Sequence, residues 1–594
     1  MSESFLYSSQ CLTLSIGRRL GKNVVSETTT KVANYNSNLD KLMQQLRDRA
    51  LLDVQYTVQQ MQENLSLDFL VYAGGVGLIK GKTCLDGTRT EILKEVVDWI
   101  NNTGPAAPRI FWLHGQAGKG KSAIAHTIAL QARNLGVLGS CFCFARVRQH
   151  EGLHVKLFPT IARDLADRDL RLRPLLAEAI TNNRSLRDTA DVAEQWEKFI
   201  LEPLSRLEGS STGNVVVVID ALDESGAEST RGPVLELLSA SHGNLPGNLR
   251  ILLTSRPLVD ICRVLKTAQH IHARSLDDID SKSTIGDVQL YICNRLKNLD
   301  DTFSDESHQQ LATKSGGVFE WARLACDFIS HPVRVIAKKR LAEIQSHAPG
   351  HGKTLLDEMY TTFLEEITKG PSDMLDMFHS VMRQIIWLKK PLSVGALDFI
   401  RNRFPRVDDR YPVGDILNMM ASLLCGTNEV SIPVRPLHAS FYDFLVDEKR
   451  SGKFVIREGD IHRDLAIASL LVMQTCLRFN ICGLETSYVP NSEVADLDKR
   501  VEENIPPYLL YACQFWANHL EGVGFDTELA QVVGQFVGGE KLLFWLEALG
   551  VSKLIRGADK ALTSAEGWFQ VRLSYFSVLV CYINVNLIGA TRVQ

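Results

Sequence analysis

The stretch that decides the fold is Gly115-Gln116-Ala117-Gly118-Lys119-Gly120-Lys121-Ser122. It matches the pattern G-x-x-x-x-G-K-S at every fixed position. The apolar run 110–113 precedes it, and the helix-forming run 123–130 follows it. Strand, glycine loop and helix in this order are the context that a phosphate-binding P-loop requires. A chance glycine-rich turn, which is the alternative, would not need either flank.

The chemistry of such a loop assigns a role to each part of the motif. Glycines let backbone N–H groups approach phosphate oxygens, and the amino end of the following helix adds positive partial charge. We therefore predict that the eight loop residues and Ala123 bind a nucleotide. Lys121 would reach the β- and γ-phosphates, and the hydroxyl of Ser122 would hold Mg²⁺.

Length and composition limit the class of protein. The chain has 594 residues, which is too long for a single hydrophobic core. Hydrophobic residues make up 45% and charged residues 23%, with a net charge of −4. This profile is typical of a globular protein and gives no global sign of nucleic-acid or membrane binding.

The twelve cysteines include no C-x-x-C pair. Cys141 and Cys143 would face the same side of a strand as free thiols, which favours a reducing compartment over zinc ligands or disulfides.

Strand-like runs alternate with helical stretches between residues 109 and 274, which predicts a doubly wound parallel α/β sheet. The run 215–219 is continuous and β-branched, as expected for a strand buried on both faces.

Asp220 ends that run, where a carboxylate would bind Mg²⁺ directly or through water. Asp223 and Glu224 are placed to polarise or deprotonate an attacking water. Arg256 ends the next run and could contact a γ-phosphate, since strand carboxyl ends line such a crevice. The alternatives are an ordinary acidic loop and a solvated arginine.

Outside the sheet the chain is mostly helical. Apolar residues from Leu39 to Leu65 recur at spacings of mostly three and four, which predicts an amphipathic helix. Docking of this helix on the next domain is the preferred interpretation, packing on a partner is the alternative, and the clean heptads are too few to predict a coiled coil. Short helices and the extended run 432–438 predict a winged helix. It lacks a basic recognition stripe, so we expect an intramolecular role and no nucleic-acid partner.

The predicted fold is an α/β P-loop domain followed by helical and winged-helix domains. Its parts are a disordered start over 1–33, a helical segment over 34–72, the nucleotide-binding domain over 80–274, a helical domain over 275–350, a winged-helix domain over 351–450, a C-terminal helical domain over 451–560 and an apolar tail over 561–594. The start has some transit-peptide character and the tail some membrane-anchor character. We nevertheless expect a cytoplasmic protein without a membrane partner.

The combination of motifs resembles the NACHT class of STAND NTPases, in particular the fungal group related to NOD-like receptors and heterokaryon-incompatibility proteins. The resemblance extends over about 34–550. It is carried by residues 84–92, the P-loop, 157–162, 220–224, 254–257 and 437–445. It implies that the nucleotide is enclosed by the α/β, helical and winged-helix domains. Many relatives carry an N-terminal effector domain and C-terminal repeats, but neither is evident here.

Further site residues follow from this resemblance. Thr88 and Arg89 would lie beside the adenine or ribose, and Arg256 would be the sensor arginine after the fourth strand. His438 would contact the β-phosphate of bound ADP and lock the closed state. From its chemistry alone, His438 would be interpreted as a core histidine.

These patterns lead to a main functional hypothesis and two alternatives. The main hypothesis is a signalling switch that ADP holds closed, that ATP with Mg²⁺ opens for self-association, and that slow hydrolysis resets. It implies homo-oligomers on activation and an unidentified protein effector. The alternatives are a conventional P-loop ATPase with steady turnover and an interaction protein with a structural nucleotide. The sequence contains no N-K-x-D guanine motif. GTP in place of ATP nevertheless remains open, because the family resemblance allows it and no residue excludes either base.

Overall fold

The computed structural model describes residues 22–104, 107–187, 189–207, 213–240, 245–268, 270–299, 303–346, 354–369, 373–427 and 431–569. Most of the predicted disordered start and of the apolar tail lies outside these ranges. Helix α1 begins at Lys22, before the boundary predicted at residue 33. In the described part of the chain, no helix is both long and apolar enough to cross a membrane.

Through the sheet region, the helices and strands are α1 (Lys22–Asp68), α2 (Thr90–Asn101), β1 (Ile110–His114), α3 (Lys121–Asn134), β2 (Leu138–Cys143), α4 (Leu153–Arg168), α5 (Leu172–Asn182), α6 (Val192–Gln195), α7 (Glu202–Ser205), β3 (Val215–Asp220), α8 (Glu228–Ala240), β4 (Leu249–Ser255), α9 (Val259–Leu265) and β5 (Ile271–Ser275). The remaining elements are α10 (Ser281–Leu296), α11 (Asp305–Lys314), α12 (Phe319–Ile329), α13 (Arg334–Ser346), α14 (Leu355–Ile367), α15 (Met374–Trp387), α16 (Val394–Arg401), α17 (Gly414–Leu417), β6 (Leu424–Cys425), β7 (Arg435–Pro436), α18 (Ala439–Val446), α19 (Glu448–Ser451), α20 (Ile461–Cys476), α21 (Leu497–Asn504), α22 (Pro507–Leu520), α23 (Thr527–Val537), α24 (Lys541–Val551) and α25 (Gly557–Phe569).

The chain divides into two compact units. The first combines Met1–Tyr72 with Phe158–Ser210, and the second contains the rest. In the first unit, the last turns of α1 pack near α5: Leu67 is buried, and Arg173 donates from Nη1 to Asn64 Oδ1 at 2.9 Å. Arg163 pairs with Asp68 at 2.7 Å. The apolar residues earlier in α1 are exposed, which contradicts the expectation that they dock on the chain.

The second unit contains the five-stranded parallel sheet, in the order β2-β3-β4-β1-β5. The predicted parallel α/β core is therefore confirmed. Every residue of β1, β3 and β4 is buried, because helices lie between the strands in sequence and both faces of the central strands are covered. In the register, His114 pairs with Ser255 and Cys143 with Asp220, so these strands end at one edge of the sheet.

Beyond β5 the second unit is helical, and its apolar side chains form one continuous core from α10 to α25. The segment predicted as a winged helix contains helices α14 to α19 and an antiparallel pair of short strands, with Leu424 opposite Pro436. The extended run predicted over 432–438 includes β7.

The cysteine pair in β2 has the predicted arrangement, since the Sγ atoms of Cys141 and Cys143 are 3.9 Å apart on one side of the strand. His126 adds a third possible metal ligand, with its Nε2 3.9 Å from Cys143 Sγ. However, His126 Nδ1 accepts a hydrogen bond from the backbone N–H of Ile79 at 3.3 Å, so in the neutral ring Nε2 carries the proton. This tautomer cannot bind a metal through Nε2, which favours the thiol interpretation.

A buried hydrogen-bond chain links α20 and α22. Tyr511 Oη accepts from the backbone N–H of Lys389 at 3.2 Å and donates to His519 Nε2 at 2.7 Å. His519 Nδ1 therefore carries a proton and donates to His462 Nδ1 at 2.8 Å, and His462 Nε2 donates to Glu458 at 3.0 Å. Both rings are thus neutral. Burial lowers the pKa of His462 and lowers the pKa of His519 much further.

These histidines should make stability depend on pH. Because their folded pKa values lie below the unfolded value near 6.5, the unfolded chain takes up more protons in acid, so the free energy of unfolding falls as pH drops below about 6.5. His462→Gln keeps a donor and an acceptor but cannot titrate. We expect urea unfolding of this variant to lose less stability between about pH 7.5 and 5.5, by up to about 1.4 kcal/mol per pH unit. A slope in His462→Gln equal to that of the wild type would contradict the assignment.

Candidate nucleotide-binding site

The predicted loop lies at the carboxyl end of β1 and runs directly into α3. Gly118 and Gly120 adopt φ values of +78° and +89°, which side chains disfavour. At Gly118 a Cβ atom would lie 2.8 Å from Val318 Cγ1, and the carbonyl of Gly118 accepts from the N–H of Glu320 at 3.3 Å. The glycine is therefore required both by its backbone angle and by the close approach of the segment that leads into α12.

Lys121, in the first turn of α3, is turned back onto the loop. Its Nζ donates to the carbonyl oxygens of Gly115 at 2.7 Å and Gln116 at 2.8 Å. Burial, together with the charge of Arg256, lowers the pKa of Lys121 to about 8, although nearby carboxylates oppose this. A phosphate group would supply the anionic partner that this ammonium group needs. Ser122 and Ala123 follow in the same turn, as predicted from the motif.

The predicted acidic residues meet at the end of β3. Asp220 is buried, and its Oδ1 accepts from Thr254 Oγ1 at 2.5 Å. Strand β4, which carries Thr254, lies between β1 and β3 and so places Asp220 near the loop. Asp223 pairs with Arg256, whose Nε lies 3.0 Å from Asp223 Oδ2. A carboxylate at Asp220 and a hydroxyl at Ser122 are the hard oxygen ligands that Mg²⁺ prefers, so the donor set fits the predicted ion.

Glu224 has the properties of a proton acceptor. Burial and, next, the charge of Asp223 raise its pKa to about 7. Its Oε2 accepts from the backbone N–H of Arg146 at 3.0 Å, and Gln149 donates to its backbone carbonyl at 2.9 Å. A carboxylate with a pKa near neutrality is suited to general-base chemistry.

His438 precedes α18 and caps it. Its Nδ1 accepts from the backbone N–H of Ser440 at 3.2 Å, so the neutral ring carries its proton on Nε2. Burial lowers the pKa of His438; the charges of Arg256 and Lys121 lower it further, whereas Glu320 opposes them. The structure thus brings His438 into the same electrostatic environment as the loop lysine. A neutral Nε2–H group is a suitable donor to a phosphate oxygen.

The sequence analysis missed the residue that joins these parts. Asp443, in α18, pairs with Arg256 Nη1 through Oδ2 at 2.5 Å and with Arg146 through Oδ1. The Arg146 guanidinium also lies 4.8 Å from the ring centroid of Tyr442. The only available signal was the position of Asp443, five residues after His438, in the run 437–445.

Thr88 and Arg89 precede α2 and are buried. Arg89 donates from Nη2 to the carbonyl of Lys119 at 2.9 Å, and its guanidinium lies 4.8 Å from the ring centroid of Phe319. Lys119 in turn donates to the carbonyl of Gly316 at 3.1 Å. These contacts link the loop to the start of α12. The predicted role of Thr88 and Arg89 beside a base or ribose stays a prediction.

The parallel sheet and the loop after β1 are compatible with a P-loop domain. In a comparison with protein families, residues 87–256 match the family described as nephrocystin 3, N-terminal. The match spans 170 of the 594 residues and includes the loop, Asp220 and Arg256, but not His438 or Asp443. No curated protein matches the chain.

The role of the loop lysine has a direct test. We expect Lys121→Ala to abolish binding of ADP and ATP, because it removes the cation that faces the phosphates. Binding is measured by calorimetry or with a fluorescent nucleotide. Lys94→Ala, an exposed lysine of α2 in the same region, should bind like the wild type. Unchanged binding by Lys121→Ala would show that the loop does not hold nucleotide.

Proposed function

We propose that this chain is a nucleotide-dependent signalling switch of the NACHT type, similar to the fungal NOD-like receptor group. In the closed state ADP would hold the α/β region, the helical domain and the winged helix together. Exchange for ATP with Mg²⁺, or for GTP, would open the chain for self-assembly in the cytoplasm and engagement of a protein effector. The main support is the Asp443 carboxylate, which pairs with both Arg146 and Arg256 beside the loop.

The residues present fit the phosphates and the ion that this proposal requires. Loop N–H groups and Lys121 would bind the phosphates, and Ser122 with Asp220 would hold Mg²⁺, which neutralises phosphate charge when bound. Lys121 would then exchange its two carbonyl partners for phosphate oxygens. His438 would donate from Nε2 to the β-phosphate, a contact made only while α18 stays in place.

Asp443 explains how a third phosphate could be sensed. Its carboxylate occupies the two guanidinium groups that a γ-phosphate would attract. A triphosphate would therefore compete with Asp443 for Arg146 and Arg256, whereas a diphosphate has no γ-phosphate with which to compete. A ligand shifts a conformational equilibrium only through its different affinity for the two states, and this competition supplies the difference. Loss of the Asp443 pairs would release α18 from the α/β region.

Asp443→Asn tests the closed-state contact. The amide has the same shape but no charge, so we expect faster ADP release and assembly at lower protein concentration, measured by nucleotide retained after purification and by light scattering. His438→Ala should shift both readouts in the same direction. Asp415→Asn, exposed at the start of α17, is the matched control and should behave as the wild type. Slow ADP release from Asp443→Asn would contradict the proposed role of the carboxylate.

The proposed role of Glu224 makes the rate of hydrolysis depend on pH. As a general base it must be deprotonated, and burial raises its pKa to about 7, so hydrolysis should accelerate as pH rises through about 7. We expect Glu224→Gln to lower the hydrolysis rate by about 100-fold and to remove this pH dependence. Glu228→Gln, in an exposed ion pair with Arg263, serves as control. An unchanged hydrolysis rate in Glu224→Gln would show that another residue is the general base.

The nucleotide released on denaturing freshly purified protein separates the candidate functions. Near-stoichiometric ADP supports the locked switch. An empty site that rapidly turns over added ATP would instead favour a conventional ATPase, and tightly held nucleotide without exchange would favour a structural role.

A further inference from the structure

Helix α1 presents an exposed apolar stripe that neither the fold nor the proposed switch uses. Its large members lie between 49% and 63% exposed: Leu39, Leu42, Leu46, Val54, Val58 and Met61. Folded monomers rarely expose large contiguous apolar patches, and such patches mark interaction sites. The stripe spans residues 39–61, which corresponds to roughly 35 Å of helix.

The spacing of the stripe is symmetric about Ala50. Leu46 and Val54 lie four residues on either side of Ala50, Leu42 and Val58 lie eight on either side, and Leu39 and Met61 lie eleven on either side. All seven positions fall on one side of the helix. When two identical helices pack antiparallel around a two-fold axis at Ala50, each apolar residue therefore meets its counterpart. The small alanine at the axis permits close approach of the two backbones.

The charges on α1 select the same arrangement. Residues 31–49 contain four basic and two acidic side chains, whereas residues 50–68 contain three acidic and no basic side chains. An antiparallel pair places the basic half of one helix beside the acidic half of the other, and a parallel pair places like beside like. Arg47 and Asp53 lie three residues on either side of Ala50, so Arg47 of one copy would face Asp53 of the other copy.

We propose that α1 is a self-association helix that joins two copies of this chain in an antiparallel, two-fold symmetric pair centred on Ala50. The occupant of the stripe is thus a second copy of this chain. An isologous contact of this kind closes on itself and yields a dimer. The pairing rests on α1 alone and is independent of the proposed nucleotide switch.

Two glutamate substitutions on the full chain test the stripe. Leu46 lies on it, whereas Leu52, equally exposed at 63%, lies on the opposite side of the helix from Ala50. We expect the wild type and Leu52→Glu to sediment as dimers of the 66.3 kDa chain at micromolar concentration. In Leu46→Glu, two charges would be buried per dimer, so we expect a dissociation constant raised at least about tenfold. Both variants alter exposed side chains, and circular dichroism checks their folding.

Charge exchange tests the antiparallel orientation. Arg47→Asp and Asp53→Arg should each weaken the dimer, because each places like charges together across the axis. The double variant Arg47→Asp/Asp53→Arg restores both pairs and should recover the wild-type dissociation constant. A monomeric wild type, equal dissociation constants for Leu46→Glu and Leu52→Glu, or a double variant weaker than either single variant would overturn the proposal. Nucleotide binding by these variants, measured separately, keeps this outcome distinct from failure of the switch.

Discussion

The position of β4 between β1 and β3 is the constraint on which the candidate site depends. A parallel sheet ends all its strands at one edge, and the insertion of β4 sets how far the loop after β1 lies from the carboxylate after β3. Thr254 of β4 then fixes Asp220 by a hydrogen bond, and Arg256, two residues later, holds Asp223. The chemistry of the edge therefore follows from strand order.

Burial of charge is the second determinant of the candidate site. Removing an ion from water is costly unless it has partners, so buried charges are paired or their pKa values shift. Lys121 and Glu224 respond with shifted pKa values, whereas Asp443 responds by pairing with two arginines. An anionic ligand would therefore stabilise the charged form of Lys121, and a nearby cation would stabilise the ionised form of Glu224. The charges of the Asp443 pairs already compensate one another, so a phosphate at these arginines would compete with the carboxylate.

The sequence predicts the parts of the site that depend on local patterns. The loop requires glycines at fixed spacing, and Asp220 follows a β-branched run, so both could be located without tertiary structure. Asp443 could not, because its partner Arg146 lies 297 residues away and a lone carboxylate in a helix carries no local signal. For the same reason, no pattern indicated that Phe158–Ser210 groups with α1 rather than with the sheet. The apolar spacing of α1 is visible in the sequence, but spacing alone does not distinguish a helix docked on its own chain from one whose apolar side is exposed. The exposure of these side chains in the structure makes that distinction.

The antiparallel pairing of α1 also bears on how a switch of this kind would assemble. A dimer held through α1 keeps two chains at a high effective concentration, so a surface released on nucleotide exchange meets a second copy without a further bimolecular step. Contacts of the closed state, such as the Asp443 pairs, would then have to be strong enough to prevent the two chains of one dimer from assembling. A carboxylate shared by two arginines is a suitable restraint, since a single ion pair at a solvated surface contributes little.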